Sequence, residues 1–335
     1  MPRKLANSIA VLALCVQSVA ADVELSGFVD MSILSDDGVV GMGLDQFELD
    51  LSTDLGDGIS IRADVNAMGP TAPVELEQAY IAYEVGEGLS LTVGKFLSCT
   101  GFEAAEPTGM YQYSASATLV YGGYQNGIAA SYATDKVGVY GAVVSSIWDG
   151  SEKDLDGDFG IEAQLILTPI EGVTAKAAFA IEDEQNLINV WGLYENGPLS
   201  AAAEVNLISD WVNDDGSFDS GLGYLAMVNY GLSDKIGVTV RYSAIALTPA
   251  GGGKDDETNE ITIAPSYAIS DNWGLIAEAK LLTVGDADAV VELLVRRKAL
   301  LQRPVLVRGD LAGGPLTACV GRPKDRLYEF LGGRP

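Results

Sequence analysis

The feature that most restricts this chain is an alternation of apolar and polar residues with a period of two, repeated through most of its length. In "ISIRADVNA" the positions Ile59, Ile61, Ala63, Val65 and Ala67 are apolar, while Ser60, Arg62, Asp64 and Asn66 between them are polar. "VTAKAAFAI" sets Val173, Ala175, Ala177, Phe179 and Ile181 against Thr174 and Lys176. "IGVTVRYSA" sets Ile236, Val238, Val240 and Tyr242 against Thr239, Arg241 and Ser243. Successive side chains of a strand point to opposite faces, so each stretch predicts a strand with one apolar and one wet face. A soluble sandwich and a barrel in lipid share this pattern, and periodicity alone leaves both open.

Connection lengths separate the two. Strands are expected near 23–33, 43–53, 59–68, 74–84, 89–97, 118–133, 137–147, 159–167, 173–181, 187–194, 199–207, 222–230, 236–246, 259–267, 273–282 and 287–295, about sixteen, with the sixth over-long. Short turns such as "DLGDG", "VGEG", "ENGP" and "LSDK" follow the even-numbered strands. Longer acidic or glycine-rich segments, among them "SDDGVVGMGLD", "WDGSEKDLDGD", "SDWVNDDGSFDS" and "TPAGGGKDDETN", follow the odd-numbered ones. An even strand count with short periplasmic turns and longer external loops predicts an all-β fold, a transmembrane antiparallel β-barrel. Tyr83, Tyr132, Tyr194, Tyr230 and Tyr267 each end an even-numbered strand on the apolar parity, as an aromatic girdle at one membrane level would. Pro265 fits less well, because it removes a ladder hydrogen bond; a bulge or a misplaced boundary is expected there.

The N-terminus fixes the compartment. Residues 1–21 carry Arg3 and Lys4, then an apolar stretch from Ile9 to Val16, then Ala20 and Ala21, which is the pattern of a cleaved secretory signal peptide. That apolar run is too short to span a bilayer, and no other run reaches spanning length. With no histidine, and with Cys15, Cys99 and Cys319 far apart, neither a metal-ligand spacing nor a disulfide framework is visible. No nucleophile constellation stands out either, so an enzyme is not expected, and no cofactor or metal is implied.

"LTVGKFLSCTGFEAAEP", "YQYSASATL", "YQNGIAASYA" and "VGVYGAVVSSIWDG" together resemble the OmpL-like β-barrel porin family of Gram-negative outer membranes, over roughly residues 22–295. The resemblance implies a passive diffusion channel for small hydrophilic solutes or ions, surrounded by outer-membrane lipid and delivered by the barrel-assembly machinery. It also makes a homotrimer an expectation. In such porins the long loop after the fifth strand folds into the lumen and narrows it. Here that loop is Ser98 to Ala117, and Glu103 and Glu106 are its pore-constriction candidates. A non-conducting structural or adhesive barrel, acting through its external loops, is the alternative.

The resemblance ends near Val295, where a barrel of this kind closes on an aromatic-ended strand. Residues 296–335 form an atypical basic tail with nine Lys or Arg against three Asp or Glu, as a shifted reading frame or a read-through would give. No motif there supports nucleic-acid binding. The chain before the tail is strongly acidic, within a formal net charge of -27 for the whole. Inward parity gives Glu24, Asp30, Glu48, Asp50, Asp64, Glu162, Glu204, Glu260 and Glu278 as lumen-facing acids, against Arg62, Lys176, Arg241 and Lys280. A lumen with that balance concentrates cations, although acidic residues serve solubility as well. The runs "DLDGD" and "NDDG" offer calcium-type oxygen ligands, but acidic loops are commonly just solvated.

Overall fold

The computed structural model describes residues 22–36, 39–103, 106–118, 120–148, 159–213, 216–285, 287 and 290–301. The expected signal peptide, Cys15, Cys319, the run "DLDGD" and most of the basic tail lie outside the described residues.

Sixteen antiparallel strands close into one barrel: β1 (Val23–Asp36), β2 (Val39–Gly56), β3 (Ile59–Ala67), β4 (Val74–Gly86), β5 (Leu89–Leu97), β6 (Tyr124–Ala133), β7 (Val137–Val144), β8 (Gly160–Leu167), β9 (Val173–Glu182), β10 (Gln185–Asn196), β11 (Leu199–Asn213), β12 (Gly216–Gly231), β13 (Ile236–Pro249), β14 (Asp256–Ser270), β15 (Trp273–Val284) and β16 (Val290–Leu301). Each strand pairs with its chain neighbours, and β1 pairs with β16, so no sheet edge is left unbonded. In hydrocarbon an unpaired backbone group finds no water, and closure satisfies this requirement. No helix among the described residues is long and apolar enough to cross a membrane.

The alternation sorts side chains as the pattern requires. On β10, Leu187, Asn189, Trp191 and Leu193 are buried, while Ile188, Val190 and Tyr194 between them are exposed on the outer surface. On β3, Asp64 and Asn66 face in, and on β13, Thr239, Arg241 and Ser243 do. The outer face is thus an apolar belt and the inner face is rich in polar groups, the reverse of a soluble domain.

Turn chemistry sets the short-turn end. Asp57 and Gly58 both take positive φ (53° and 76°), the geometry of a two-residue hairpin whose twist matches its strands. At the other end, part of what reads as loop is strand. "SDDGVVGMGLD" and "SDWVNDDGSFDS" fall largely within the β1/β2 and β11/β12 hairpins, which pair out to Asp36↔Val39 and Asn213↔Gly216. Ladder hydrogen bonds carry these acidic stretches beyond the apolar belt, where hydropathy gives no strand signal. The sixth strand begins at Tyr124, not near 118, because the preceding residues turn into the barrel.

Two more boundaries move. Pro265 produces no bulge. Its strand keeps register with β13 (Val238↔Pro265), while the ladder to β15 lapses between Ile263↔Ala279 and Ser266↔Ile276, where the ring has no N–H to give. The last strand continues past the expected limit at Val295 to Leu301. Arg296, Arg297 and Lys298 pair through their backbones with Ser32, Met31 and Asp30. Closing on the long strand β1 demands backbone partners along it, and pairing makes no demand on side-chain polarity.

Candidate functional site: the polar lumen and the loop within it

Between β5 and β6 the chain makes a long excursion, residues 98–123, which begins and ends side by side: the Ser98 N–H donates to the Gly123 carbonyl at 2.9 Å. Gly94, just before it, has φ +136°, and a Cβ there would stand 2.2 Å from the Ala79 carbonyl oxygen. Glycine is the residue that tolerates this close backbone approach, which gives the "VGKF" motif a physical reason. Pro107–Gly109 form one short 3-10 turn within the excursion.

The excursion lies inside the barrel, and its bonds to inward-facing side chains trace its course. On β8, Glu162 accepts from the Cys99 N–H at 3.3 Å and from the Ser98 hydroxyl, and Gln125 of β6 donates to the same carboxylate at 2.5 Å. Asn189 of β10 accepts the Gly101 N–H at 3.1 Å, and the Trp191 indole donates to the Gly101 carbonyl at 3.0 Å. On β11, Glu204 accepts the Phe102 N–H at 2.9 Å and the Tyr121 hydroxyl. On β13, Thr239 donates to the Tyr111 carbonyl at 3.1 Å and Ser243 accepts the Ala117 N–H at 3.0 Å. Glu278 of β15 accepts the N–H groups of Tyr113 and Ser114, at 2.6 and 3.1 Å. Carboxylates receiving backbone N–H groups form hydrogen bonds about twice as strong as neutral ones.

An apolar contact reinforces this attachment. Phe102 and Tyr111 of the loop join Trp191, Leu193, Ala202, Leu225 and Met227 of the wall in one buried cluster. The Phe102 and Trp191 rings meet edge to face, with centroids 5.5 Å apart. Lys176 places its ammonium 5.5 Å over the Trp191 ring. None of these apolar anchors is visible in a strand alternation, because each is an apolar residue on the wet face or in a loop.

The two loop acids have different surroundings. Glu103 is ion-paired with Arg241 at 2.5 Å, accepts from Gln112 Nε2 and the Ser116 N–H at 2.7 Å each, and has a side chain only 4% exposed. Arg241, fully buried, also binds Glu260, the Ser114 carbonyl at 2.8 Å and the Ala115 carbonyl at 3.1 Å. The charge of Glu103 is thus met by a guanidinium from the wall. Glu106 is the more open, with its side chain 23% exposed and Arg62 of β3 3.9 Å away. Burial pushes the Glu106 carboxyl above the usual carboxylate range, with Arg62 acting in the opposite direction.

The remaining lumen candidates line the wall. Asp30, Glu48, Asp50 and Asp64 are buried on the inner faces of β1, β2 and β3, and Glu162, Glu204, Glu260 and Glu278 on those of β8, β11, β14 and β15. Ser26 donates to Asp50 at 3.0 Å, Gln46 to Glu48 at 3.3 Å and Gln78 to Asp64 at 2.5 Å. Lys176 and Lys280 are half-buried, and Glu24 lies exposed near the short-turn end. Carboxylate oxygens of Glu48, Asp64 and Glu106 come within 4.8 Å of one another, a gathering of three possible metal ligands. Arg62 pairs with Asp64 at 2.7 Å, so a guanidinium already supplies the positive charge there. Tyr83, Tyr132, Tyr194, Tyr230 and Tyr267 are all exposed on the outer surface at the short-turn end, within a few residues of a turn.

The barrel fold agrees with the comparisons. The chain superposes on OmpF of Salmonella typhi in complex with daunomycin with a TM-score of 0.67, at 11% identity over 83% of this chain and 97% of that one. The trimer form of in-vitro folded OmpT of Vibrio cholerae gives 0.64, at 10% identity over 84% and 99%. The anion-selective porin from Comamonas acidovorans gives 0.61, at 13% identity over 84% and 99%. Such identities establish the fold alone, and since one of these barrels is anion-selective, ion preference has to be read from the residues. No curated protein matches the sequence. The family model described as "Putative beta-barrel porin-2, OmpL-like" matches residues 54–293, and the chain accordingly belongs to this family of β-barrel porins.

Proposed function

We propose that the protein is a cation-preferring porin, a passive diffusion channel for small hydrophilic solutes, in which the loop of residues 98–123 narrows the passage. The observation that carries this reading is the loop inside the barrel, bonded to inward-facing side chains from β8 round to β15. A loop tied to that side leaves the passage running past β1–β4. There Asp30, Glu48, Asp50 and Asp64 set negative charge just behind the inner surface, each 4% exposed or less, and the more open Glu106 stands beside them with Arg62 as counter-charge. Fixed charge of one sign in a narrow, low-dielectric passage enriches counter-ions and repels co-ions.

Export by a cleaved signal peptide, insertion by the barrel-assembly machinery, an aromatic girdle of five tyrosines and a homotrimer complete the reading. The trimer form of the Vibrio cholerae neighbour supports the last of these. Refolded protein in planar bilayers tests the function. Discrete conductance steps are expected. A barrel that inserts, as shown by heat-modifiable migration, yet passes no current would instead be a structural or adhesive barrel.

A further inference from the structure

Oxygen-bearing side chains converge where the loop comes near β2, β3 and β4. Carboxylate oxygens of Glu48, Asp64 and Glu106 stand within 4.8 Å of one another. Calcium holds its oxygens at about 2.3–2.6 Å, so oxygens on opposite sides of one ion are roughly 5 Å apart, and the spacing suits a single ion. The strand register adds two amides. Glu48 pairs with Asn66 across β2 and β3, and Asp64 with Gln78 across β3 and β4. Paired residues share a face, which sets each amide beside an acid. Gln78 Nε2 donates to Asp64 at 2.5 Å, and Asn66 Nδ2 donates to Glu77. Gln78 Oε1 belongs to the same planar amide as the nitrogen that touches Asp64, so it stands at the edge of the acid cluster. Neither Gln78 Oε1 nor Asn66 Oδ1 has a hydrogen-bond partner among the described residues, although the two residues are only 3% and 4% exposed. A buried amide oxygen left without a partner is costly, and two of them beside three acids call for a ligand.

We propose that Glu48, Asp64, Glu106, Gln78 and Asn66 form a binding site for a divalent cation of the calcium class, which clasps the loop to the wall at β2–β4. The donors are carboxylate and amide oxygens alone. They suit a hard cation and offer nothing to a metal that seeks thiolate or imidazole. Calcium fits better than magnesium, which demands a near-ideal octahedron and keeps several waters, for which side chains this buried leave little room. Charge points the same way. The Arg62 guanidinium is committed to Asp64, with Nε 2.9 Å from both of its oxygens, and offsets one of the three carboxylates. The two charges that remain are what one divalent ion balances, and charges this buried need such a balance. Glu106 is the ligand that the loop contributes. It stands 3.9 Å from Arg62, beyond hydrogen-bond reach, whereas hydrogen bonds hold the loop directly to β8–β15. A bound ion bridges the β2–β4 side, so it should stabilise the protein and reduce the current past β1–β4.

Calorimetric titration of the refolded protein in detergent with calcium chloride tests the site. The parent protein should bind calcium saturably and magnesium more weakly, and calcium should raise the temperature at which the heat-modifiable band converts. Glu106→Gln and Glu48→Gln should each weaken calcium binding by more than about 100-fold and Gln78→Ala by roughly 10-fold or more, since even groups that only orient a metal's ligands are worth about 10–100-fold. The rim changes Asp255→Asn and Asp256→Asn should leave the affinity in place. Heat-modifiable migration shows whether each variant has folded, and Glu106→Gln, on the loop, covers the case in which the buried Glu48→Gln does not. In planar bilayers, calcium added to potassium chloride should lower the single-channel current of the parent more than that of Glu106→Gln. A parent protein that binds no calcium would overturn the inference and leave the porin reading intact. So would folded Glu106→Gln and Gln78→Ala variants that bind it as the parent does, because the calcium would then sit on other acids. A parent protein that binds as expected but never conducts would overturn the porin reading and leave the site standing.

Discussion

Replacing Arg241 by methionine tests how the loop is held. The guanidinium is fully buried and joins Glu103, Glu260 and the carbonyls of Ser114 and Ala115, so one side chain binds two acids and the loop backbone. Methionine keeps much of the volume but strands two carboxylates that are each 4% exposed. Removing one partner of a buried ion pair costs about 3–5 kcal/mol, most of it the penalty of the charges left behind. The other anchors survive: Glu162 and Glu204 still hold Cys99 and Phe102, and Glu278 still holds Tyr113 and Ser114, each a charge-assisted bond contributing roughly 1.5–3 kcal/mol. These attachments should therefore persist while the loop loosens locally around Glu103, Ser114 and Ala115, with a rise in conductance and open-channel noise smaller than deletion of the loop would give. Denaturant unfolding in detergent measures the stability change. Adding Glu103→Gln and Glu260→Gln to Arg241→Met should recover much of the loss, since no stranded charge remains. A single variant within about 1 kcal/mol of the parent, or a triple variant as unstable as the single, would refute the reasoning.

Other outcomes follow from the same geometry. Because burial holds the Glu106 carboxyl above its ordinary range, it takes up its proton before an ordinary carboxylate as the pH falls; cation preference should begin to decline above the usual glutamate pKa of about 4.3, and Glu106→Gln should flatten that part of the profile. Gly94→Ala should impair assembly, read as loss of the heat-modifiable band, because its Cβ would lie 2.2 Å from the Ala79 carbonyl oxygen; normal assembly would show that the backbone yields there. Truncation after Val295 should open the seam, because it removes the pairing from Ser32↔Arg296 to Gly27↔Leu301, whereas truncation after Leu301 should leave insertion at least as efficient. Tags within residues 251–255 should be reachable on intact cells and tags within 195–198 or 232–235 should not; labelling of the second group would invert the topology.

The barrel was legible because strand pairing and lipid exposure act locally: one face of every spanning strand must be apolar, and the period of two records that in "ISIRADVNA" and "VTAKAAFAI" alike. Strands that extend past the lipid lose this constraint, and the tips of β1/β2 and β11/β12 therefore read as loop. The inward parity of Arg241 was legible too, but its partner was not. Glu103 stands 138 residues away in a loop without periodicity, and only the closed barrel brings them together. The same holds for Arg62 and Glu106, and for Trp191 beside Phe102, where an apolar side chain on the wet face is the one hint that something from elsewhere covers it.

The central claim is that an acidic passage between the loop and β1–β4 carries ions and favours cations. The most direct test is the reversal potential of the unaltered, refolded protein in a planar bilayer with unequal potassium chloride on its two sides. The account predicts a stable current whose reversal potential has the sign of potassium permeating more readily than chloride. A reversal potential of the opposite sign, or one at zero, would contradict it.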